Sequence, residues 1–150
     1  MSAPPVSYRP IIESDIPDLF AVRIATWDNE RGAEELEALG ITPESVRERL
    51  ATNHHGFVVR VEERTVGFAM GNRDNGEVWV IAVLKAYENR GFGRGLLTRV
   101  EDWLFEHGHE SIWLTTDTDE RHRAVGFYRR LGWRDWKFEH GDRYMIKERR

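Results

Sequence analysis

A glycine-rich turn connects an apolar segment to an amphipathic helix near the middle of this chain. Residues 83–97 contain the run RGFGRG at positions 90–95. Glycines at alternate positions let the backbone turn tightly and approach a ligand. The unpaired amides of the helix's first turn point at that ligand, together with the positive end of the helix dipole. The pattern therefore predicts a binding site for a phosphate or a pyrophosphate.

The spacing of the glycines argues against two common nucleotide-binding loops. A Rossmann fingerprint requires a third glycine where this chain has Leu96, and a Walker loop requires a Gly-Lys-Ser/Thr sequence that this chain lacks. The pattern that remains is Arg/Gln-x-x-Gly-x-Gly/Ala, which Arg90, Gly93 and Gly95 satisfy. An apolar strand predicted at residues 77–83 completes a strand–turn–helix unit.

A second motif lies closer to the C-terminus. Residues 124–133 read AVGFYRRLGW, a predicted helix that carries Tyr128 and closes with a Gly-Trp pair. Together the two motifs resemble the GNAT superfamily of acyl-CoA-dependent N-acetyltransferases. The first is similar to the pyrophosphate-binding loop of that family and the second to its late helix. The resemblance covers residues 77–133, whereas the segment before Gly56 agrees only in the order of its elements.

The resemblance implies a fold class. The expected fold is a single GNAT-like α/β domain over residues 1–150. Its central sheet is expected to be mixed, mainly antiparallel and twisted, with helices flanking it. The length of the chain is sufficient for one full hydrophobic core without disulfides or metals.

The resemblance also implies acetyl-CoA as the cosubstrate. Its pyrophosphate is expected on the glycine amides of the run at 90–95, and its pantetheine arm along the main chain of residues 81–83. Arg90 and Arg94 supply charge-assisted contacts in this interpretation, although both could equally be solvated surface residues. The residues expected to bind acetyl-CoA are Ile81, Ala82, Val83, Arg90, Gly91, Phe92, Gly93, Arg94 and Gly95.

Two further residues have catalytic roles if the resemblance holds. Members of the family that acetylate histones carry a glutamate at the offset that Glu77 has from Arg90, thirteen positions. A carboxylate there would remove a proton from the acceptor ammonium, whose pKa is near 10.4, before the amine attacks the thioester. Tyr128 stands where a phenol protonates the departing CoA thiolate. The alternatives are a solvated carboxylate for Glu77 and a core aromatic for Tyr128.

One position departs from the pattern of the family. Many members carry an asparagine that contacts CoA three residues before the alanine at the start of the second motif. This chain has Arg121 there. The detailed contacts to CoA are therefore expected to differ from those of such members.

Hydrophobic periodicity predicts an alternation of strands and helices that suits a mixed sheet. The strands are predicted at residues 6–9, 57–61, 66–72, 77–83, 111–116, 133–139 and 143–147. The helices are predicted from Ser14 to about Trp27, from Thr42-Pro43 through Leu50, from Leu96 to Gly108, and over residues 120–131. A polar loop is expected between the first two helices.

Composition argues against several other classes of protein. The chain has no cysteine, so it has no thiolate nucleophile, disulfide framework or cysteine-ligated zinc, and its six histidines lack the i, i+4 spacing of a helical metal site. No metal is expected. A formal net charge of -4 argues against a nucleic-acid-binding protein. No apolar run approaches the roughly 20 residues of a membrane-spanning helix, and residues 1–5 do not resemble a secretory signal. A cytoplasmic protein without a membrane partner is expected.

The acceptor is the least constrained part of the prediction. Residues 28–49 carry seven acidic and three basic side chains, which would either attract a cationic amine or form a solvated surface. Trp27 and Trp79 would either line an acceptor pocket or belong to the core. The predicted reaction is direct attack of a primary amine on acetyl-CoA in a ternary complex. A small molecule is the first choice of acceptor, and a protein N-terminus or lysine is the second. A noncatalytic acyl-CoA-binding or sensing module stays open, as does a homodimer.

Overall fold

A seven-stranded mixed sheet organises the chain in a computed structural model that describes residues 4–26, 32–116, 118–119 and 123–149. The strands are β1 (Val6–Pro10), β2 (His54–Val61), β3 (Arg64–Asn72), β4 (Glu77–Val83), β5 (Ser111–Thr116), β6 (Arg134–Glu139) and β7 (Asp142–Glu148). The helices are α1 (Ile16–Ala25), α2 (Gly32–Ala38), α3 (Pro43–Thr52), α4 (Phe92–Glu106) and α5 (Arg123–Arg130). The spatial order is β1-β2-β3-β4-β5-β7-β6, and among the described strands only β4 and β5 are parallel neighbours. The predicted fold class is confirmed.

The seven predicted strands all form, most of them close to the predicted bounds. β2 begins earlier than expected, at His54, and β6 begins at Arg134. The helix predicted over residues 120–131 is described from Arg123 onward, so its predicted start lies outside the described residues. Periodicity was sufficient to place the elements that bury one regular face, such as β7, whereas β6 is exposed along nearly its whole length.

The polar loop expected between the first two helices is corrected, because that stretch contains α2. Residues 34–38 read EELEA, and all of these residue types have high helix propensity. Leu36 is 2% exposed and supplies the apolar anchor of the helix. A single buried leucine makes no repeating apolar face, so periodicity could not distinguish this short helix from a charged loop.

The sheet separates two hydrophobic cores. One lies between the sheet and α4 and includes Leu97, Val100 and Leu104 of that helix. The other lies between the sheet and the helices α1 and α3, with Leu19 and Val46 among its buried residues. Because both faces are covered there, the central strand β3 is buried along nearly its whole length.

β4 bends away from β5 just after the two strands meet. The pairing of β3 with β4 skips Trp79, which is therefore an extra residue in β4. Such a bulge bends its strand and increases the local twist. In the described residues β4 and β5 pair only between Glu77 and Trp113. The two strands consequently separate toward their C-terminal ends and leave a gap beside residues 81–83.

The described part of the chain has neither a membrane-spanning helix nor a metal-binding cluster. None of its helices combines the length and the apolar character needed to cross a membrane. No group of three or more His, Asp and Glu side chains is placed there to hold a metal ion.

His54 packs edge-on against Trp79, and burial, helped by the nearby Arg49, lowers the pKa of His54 to about 4.

The start of α1 depends on one buried carboxylate. Asp15 accepts hydrogen bonds from the Arg9 guanidinium at 2.7 and 2.8 Å and from the Ile12 amide at 2.8 Å. Burial alone would raise the pKa of the Asp15 carboxyl, but these bonds outweigh that effect and hold the pKa below its usual value. The ionised carboxylate therefore stabilises the junction of β1 and α1.

We expect Asp15→Asn to lower the free energy of unfolding by about 1–3 kcal/mol at pH 7. Because the folded-state pKa is depressed, this stabilisation is present above the unfolded-state pKa and is lost as the pH falls through the folded-state pKa. Urea unfolding across the acidic range should show the wild type and the variant converging. The exposed Asp18→Asn is the control, expected to change the free energy by less than about 0.5 kcal/mol. A difference that persists unchanged at low pH would contradict this account.

Candidate active site

The first turn of α4 presents four backbone amides without a helical partner. Gly91 is the N-cap residue with a φ of 82°, and Asn89 has a φ of 64°. The free amides are those of Gly91, Phe92, Gly93 and Arg94, and no backbone carbonyl among the described residues accepts from them. Left-handed residues next to extended or helical ones turn amides toward a common side, as in anion-binding nests. This turn can therefore hold a pyrophosphate.

Gly95 has a different role from the predicted one. Its amide donates a hydrogen bond to the Gly91 carbonyl at 3.0 Å, so it belongs to the helix and is not available to a ligand. A Cβ atom at residue 95 would lie 2.4 Å from the hydroxyl oxygen of Tyr8 in β1. The glycine is needed for helix–strand packing, and the prediction that its amide holds the pyrophosphate is corrected.

A cleft with a volume of about 560 Å³ runs from the start of α4 to the gap beside β4 and is closed by α5. The predicted site residues that line it are Ile81, Ala82, Val83, Gly91, Phe92, Gly93, Arg94 and Tyr128. Arg90 is not in this lining, and its guanidinium carbon lies 5.1 Å from the ring centre of Tyr87. The structure thus brings the two sequence motifs to the two sides of one cleft.

Tyr128 lines this cleft with a buried phenol. Its side chain is 7% exposed, and burial raises the pKa of the phenol to about 12, against a smaller opposing effect of Arg23 on α1. The phenol is therefore protonated throughout the neutral range. No hydrogen bond to its hydroxyl is present within the described ranges, so the proton is free to meet a ligand atom.

The end of α5 fixes the position of Tyr128. Gly132 adopts a φ of 95°, which an L-residue with a side chain rarely reaches. The Trp133 amide then donates to the Tyr128 carbonyl at 3.1 Å, and the Gly132 amide donates to the Arg129 carbonyl at 3.1 Å. This is a Schellman motif, in which the residue after the glycine folds back on the helix. The Trp133 ring accordingly packs against Tyr128, with 6.2 Å between ring centres.

A buried polar network behind Trp133 was not predicted from the sequence. Glu101 of α4 accepts from the Trp133 indole at 2.9 Å and from the Lys147 ammonium at 2.7 Å. Lys147 also donates to the Leu131 carbonyl at 2.8 Å. The network ties α4, β7 and the end of α5 together. The sequence feature that could have indicated this network is a glutamate within the apolar face of α4, between Val100 and Leu104.

Glu77 lies at the other end of β4 and does not line the cleft. Four strand positions separate it from Ile81, which corresponds to about 13 Å of extended chain. Its side chain is half-buried, and burial raises the pKa of the carboxyl while Arg49 of α3 opposes this. Its role as the general base stays a prediction, and any transfer from an amine in the gap would pass through water.

A small, mostly apolar cavity of about 70 Å³ lies on the opposite face of β4, under α1, α2 and α3. Trp79 and Val80 form part of its wall, and Arg23 is a charged member of the lining. Arg23 also interacts electrostatically with Tyr128, although the two residues are on helices that cover opposite faces of the sheet. Arg23 and Tyr128 therefore influence each other electrostatically from opposite faces of the sheet.

Some predictions about the acceptor and the cosubstrate fall on residues outside the described ranges. These residues are Trp27, Asp28, Glu30, Arg31 and Arg121. The remaining acidic residues of the 28–49 segment lie on or near α2 and α3. Trp79 is described, and it both lines the small cavity and packs against the core of that face.

The sequence matches known acetyltransferases. Residues 17–133 match the acetyltransferase (GNAT) family. A mycothiol acetyltransferase from Renibacterium salmoninarum is 32% identical over 91 residues. The match covers 54% of this chain and only 27% of the length of that relative.

Solved structures with the same fold include other acetyltransferases. The PaiA N-acetyltransferase of Thermoplasma acidophilum, solved with coenzyme A, gives a TM-score of 0.83 at 17% identity and covers 99% of this chain and 100% of that chain. The ribosomal-protein-S18-alanine N-acetyltransferase of Escherichia coli gives a TM-score of 0.76 at 17% identity, with 96% and 94% covered. At such identities the likeness concerns the fold, whereas the family match covers most of the chain and supports acetyl-CoA as the cosubstrate. The chain belongs to the GNAT family of acetyltransferases.

Proposed function

We propose that the protein transfers the acetyl group of acetyl-CoA to a primary amine, most simply a small-molecule amine, by direct attack in a ternary complex. The observation that carries the proposal is the single cleft that joins free amides, the open side of β4 and Tyr128. Each of these three features meets a different part of acetyl-CoA. A noncatalytic CoA-binding module would need the amides but would have no use for a buried, unengaged phenol.

The residues of the cleft fit acetyl-CoA along its length. The free amides of residues 91–94 suit the pyrophosphate, because they combine hydrogen-bond donors with the positive end of a helix dipole. The backbone of residues 81–83 faces the gap left by β5, so the amide groups of pantetheine can pair with it as a neighbouring strand would. This places the thioester at the gap, near Tyr128.

The proposed reaction needs one proton donor for the departing sulfur and one proton acceptor for the amine. The amine nitrogen attacks the thioester carbon, the carbon–sulfur bond breaks, and the CoA thiolate leaves. The nitrogen loses a second proton as the amide forms, and this proton returns through solvent to the phenolate that Tyr128 leaves behind. The Tyr128 hydroxyl donates its proton to the departing sulfur, which the raised pKa permits because the phenol is still protonated at neutral pH. An ammonium acceptor must lose a proton beforehand, and Glu77 takes it through water.

The choice of acceptor is supported by three observations. The relative with 32% identity is an acetyltransferase named for mycothiol and not for a protein. The cavity under α1, α2 and α3 is small and mostly apolar. In the sequence, acidic side chains of α2 flank the residue of that helix that lines the cavity. A protein N-terminus is the alternative, because a neighbour in fold acetylates the alanine of a ribosomal protein.

The experiment that tests the proposal is a screen for CoA release. Polyamines, aminoglycosides, amino acids and peptides with free N-termini are each mixed with the protein and acetyl-CoA. Release that requires a small amine supports the first choice, and release only with peptides supports the alternative. Binding of acetyl-CoA without CoA release in the presence of any amine would indicate a noncatalytic CoA-binding module instead.

Replacing Tyr128 with phenylalanine should lower kcat by roughly 10- to 1,000-fold, because the thiolate then leaves without a proton donor. Affinity for acetyl-CoA should change little, since the ring and its packing remain. Tyr144→Phe is the matched control, because Tyr144 stacks on Trp113 at 5.7 Å and does not line the cleft. A folded Tyr128→Phe variant with wild-type kcat in a chemistry-limited assay would remove Tyr128 from the mechanism.

Replacing Glu77 with glutamine should lower the rate by roughly 100-fold at mildly acidic pH. The base works as the carboxylate, so the wild-type rate rises as the pH passes upward through the raised pKa of Glu77. The effect should shrink at high pH, where the acceptor loses its proton to solvent. The exposed Glu106→Gln is the control. Identical pH–rate profiles for the wild type and Glu77→Gln would assign the base to another group.

Replacing Gly93 with valine should weaken acetyl-CoA binding by about tenfold or more, because a side chain there blocks the backbone from the pyrophosphate. A Cβ atom at this residue would also lie 3.3 Å from the Phe127 ring across the cleft. Gly93→Ala should give a smaller loss in the same calorimetric titration. Thermal unfolding checks that both variants fold. Unchanged affinity in folded Gly93→Val would contradict the placement of the pyrophosphate.

A further inference from the structure

Two further clefts adjoin the cleft proposed for acetyl-CoA. One, of about 540 Å³, lies between α4 and the end of α5, and Arg94 and Arg130 line both it and the main cleft. The other, of about 610 Å³, lies beside the turn between β2 and β3, and Tyr87 lines both it and the main cleft. Each is a route by which a long ligand could continue beyond the start of α4.

The two routes differ in charge. The 540 Å³ cleft is lined by the cations Arg94, Arg130, Lys147 and Arg149 and by the acids Glu101 and Asp102. The carboxylate of Glu101 is already engaged by Lys147 at 2.7 Å. The 610 Å³ cleft has as many acidic as basic residues, because Glu62 and Glu63 accompany its arginines. An anionic group is therefore better accommodated in the 540 Å³ cleft.

Arg94 and Arg130 stand at the boundary between the main cleft and the 540 Å³ cleft without a carboxylate partner anywhere in the described ranges. Arg123, another arginine that lines the main cleft, does have a carboxylate partner, because it pairs with Glu88 at 2.7 Å. The Arg130 guanidinium reaches back along α5, and a Cβ atom at Gly126 would lie 3.4 Å from one of its nitrogens. The side chain thus extends along the helix beside the main cleft.

The chemistry of CoA provides an anion for this position. Besides the pyrophosphate, CoA carries a separate phosphate monoester on the 3′-oxygen of its ribose. If the pyrophosphate lies on the amides of residues 91–94 and pantetheine lies along residues 81–83, the adenosine must leave on the far side of the amides. Two guanidinium groups suit a phosphate monoester, because each can donate two charge-assisted hydrogen bonds.

We propose that Arg94 and Arg130 hold the 3′-phosphate of acetyl-CoA, with the adenosine in the 540 Å³ cleft between α4 and α5. This inference rests on the proposed function, since it requires acetyl-CoA in the main cleft. Arg130 is the discriminating residue, because Arg94 also belongs to the turn that binds the pyrophosphate. The protein should accordingly prefer acetyl-CoA to its 3′-dephospho analogue.

The test compares these two ligands by calorimetry with the full chain. The wild type should bind acetyl-CoA at least about tenfold more tightly than 3′-dephospho-acetyl-CoA. Arg130→Met should lose most of this preference by weakening acetyl-CoA binding alone, while its affinity for the dephospho analogue stays at the wild-type value. Arg64→Met is the control, because Arg64 lines the 610 Å³ route instead.

The remaining outcomes would overturn the inference. An unchanged preference in folded Arg130→Met would show that the 3′-phosphate lies elsewhere, and loss of the preference in Arg64→Met would assign it to the 610 Å³ cleft. Equal affinities of the wild type for the two ligands would mean that no residue binds the 3′-phosphate. Failure of the wild type to bind either ligand would instead refute the proposed function.

Discussion

The separation of β4 from β5 is the constraint on which the site depends. The bulge at Trp79 bends β4, and the described strands pair with each other only at Glu77. Backbone groups in a sheet normally satisfy one another, so the divergence leaves residues 81–83 facing a space without a neighbouring strand. Tyr128 on one side of the sheet and Arg23 on the other also interact electrostatically.

Local sequence was enough to predict the parts of the site that local geometry determines. The turn before α4 follows from Gly91, whose left-handed conformation begins the helix and frees its amides. The end of α5 follows from Gly132, whose conformation folds Trp133 back onto Tyr128. In both cases the residues that matter are within a few positions of one another, so a motif can encode the arrangement.

Sequence was not enough where the partners are distant or the apolar pattern is short. Glu101 and Lys147 form a buried pair although 46 positions separate them, and nothing in either segment indicates the other. α2 was missed because Leu36 is its single buried residue among those whose burial is described. The distance between Glu77 and the cleft depends on how far β4 runs past the point where it meets β5, which is a property of the sheet.

The contact between Gly95 and Tyr8 gives the two motif glycines different evolutionary constraints. Gly93 faces the cleft, whereas Gly95 faces β1, where Arg99 also lies over the Tyr8 ring at 3.9 Å and donates to the Gly95 carbonyl. In a homologue with a small residue in place of Tyr8, a larger residue could replace Gly95 while the free amides at the start of α4 stayed intact. Positions 8 and 95 should therefore covary, and the loss of this second glycine would indicate a change in packing rather than an inactive protein.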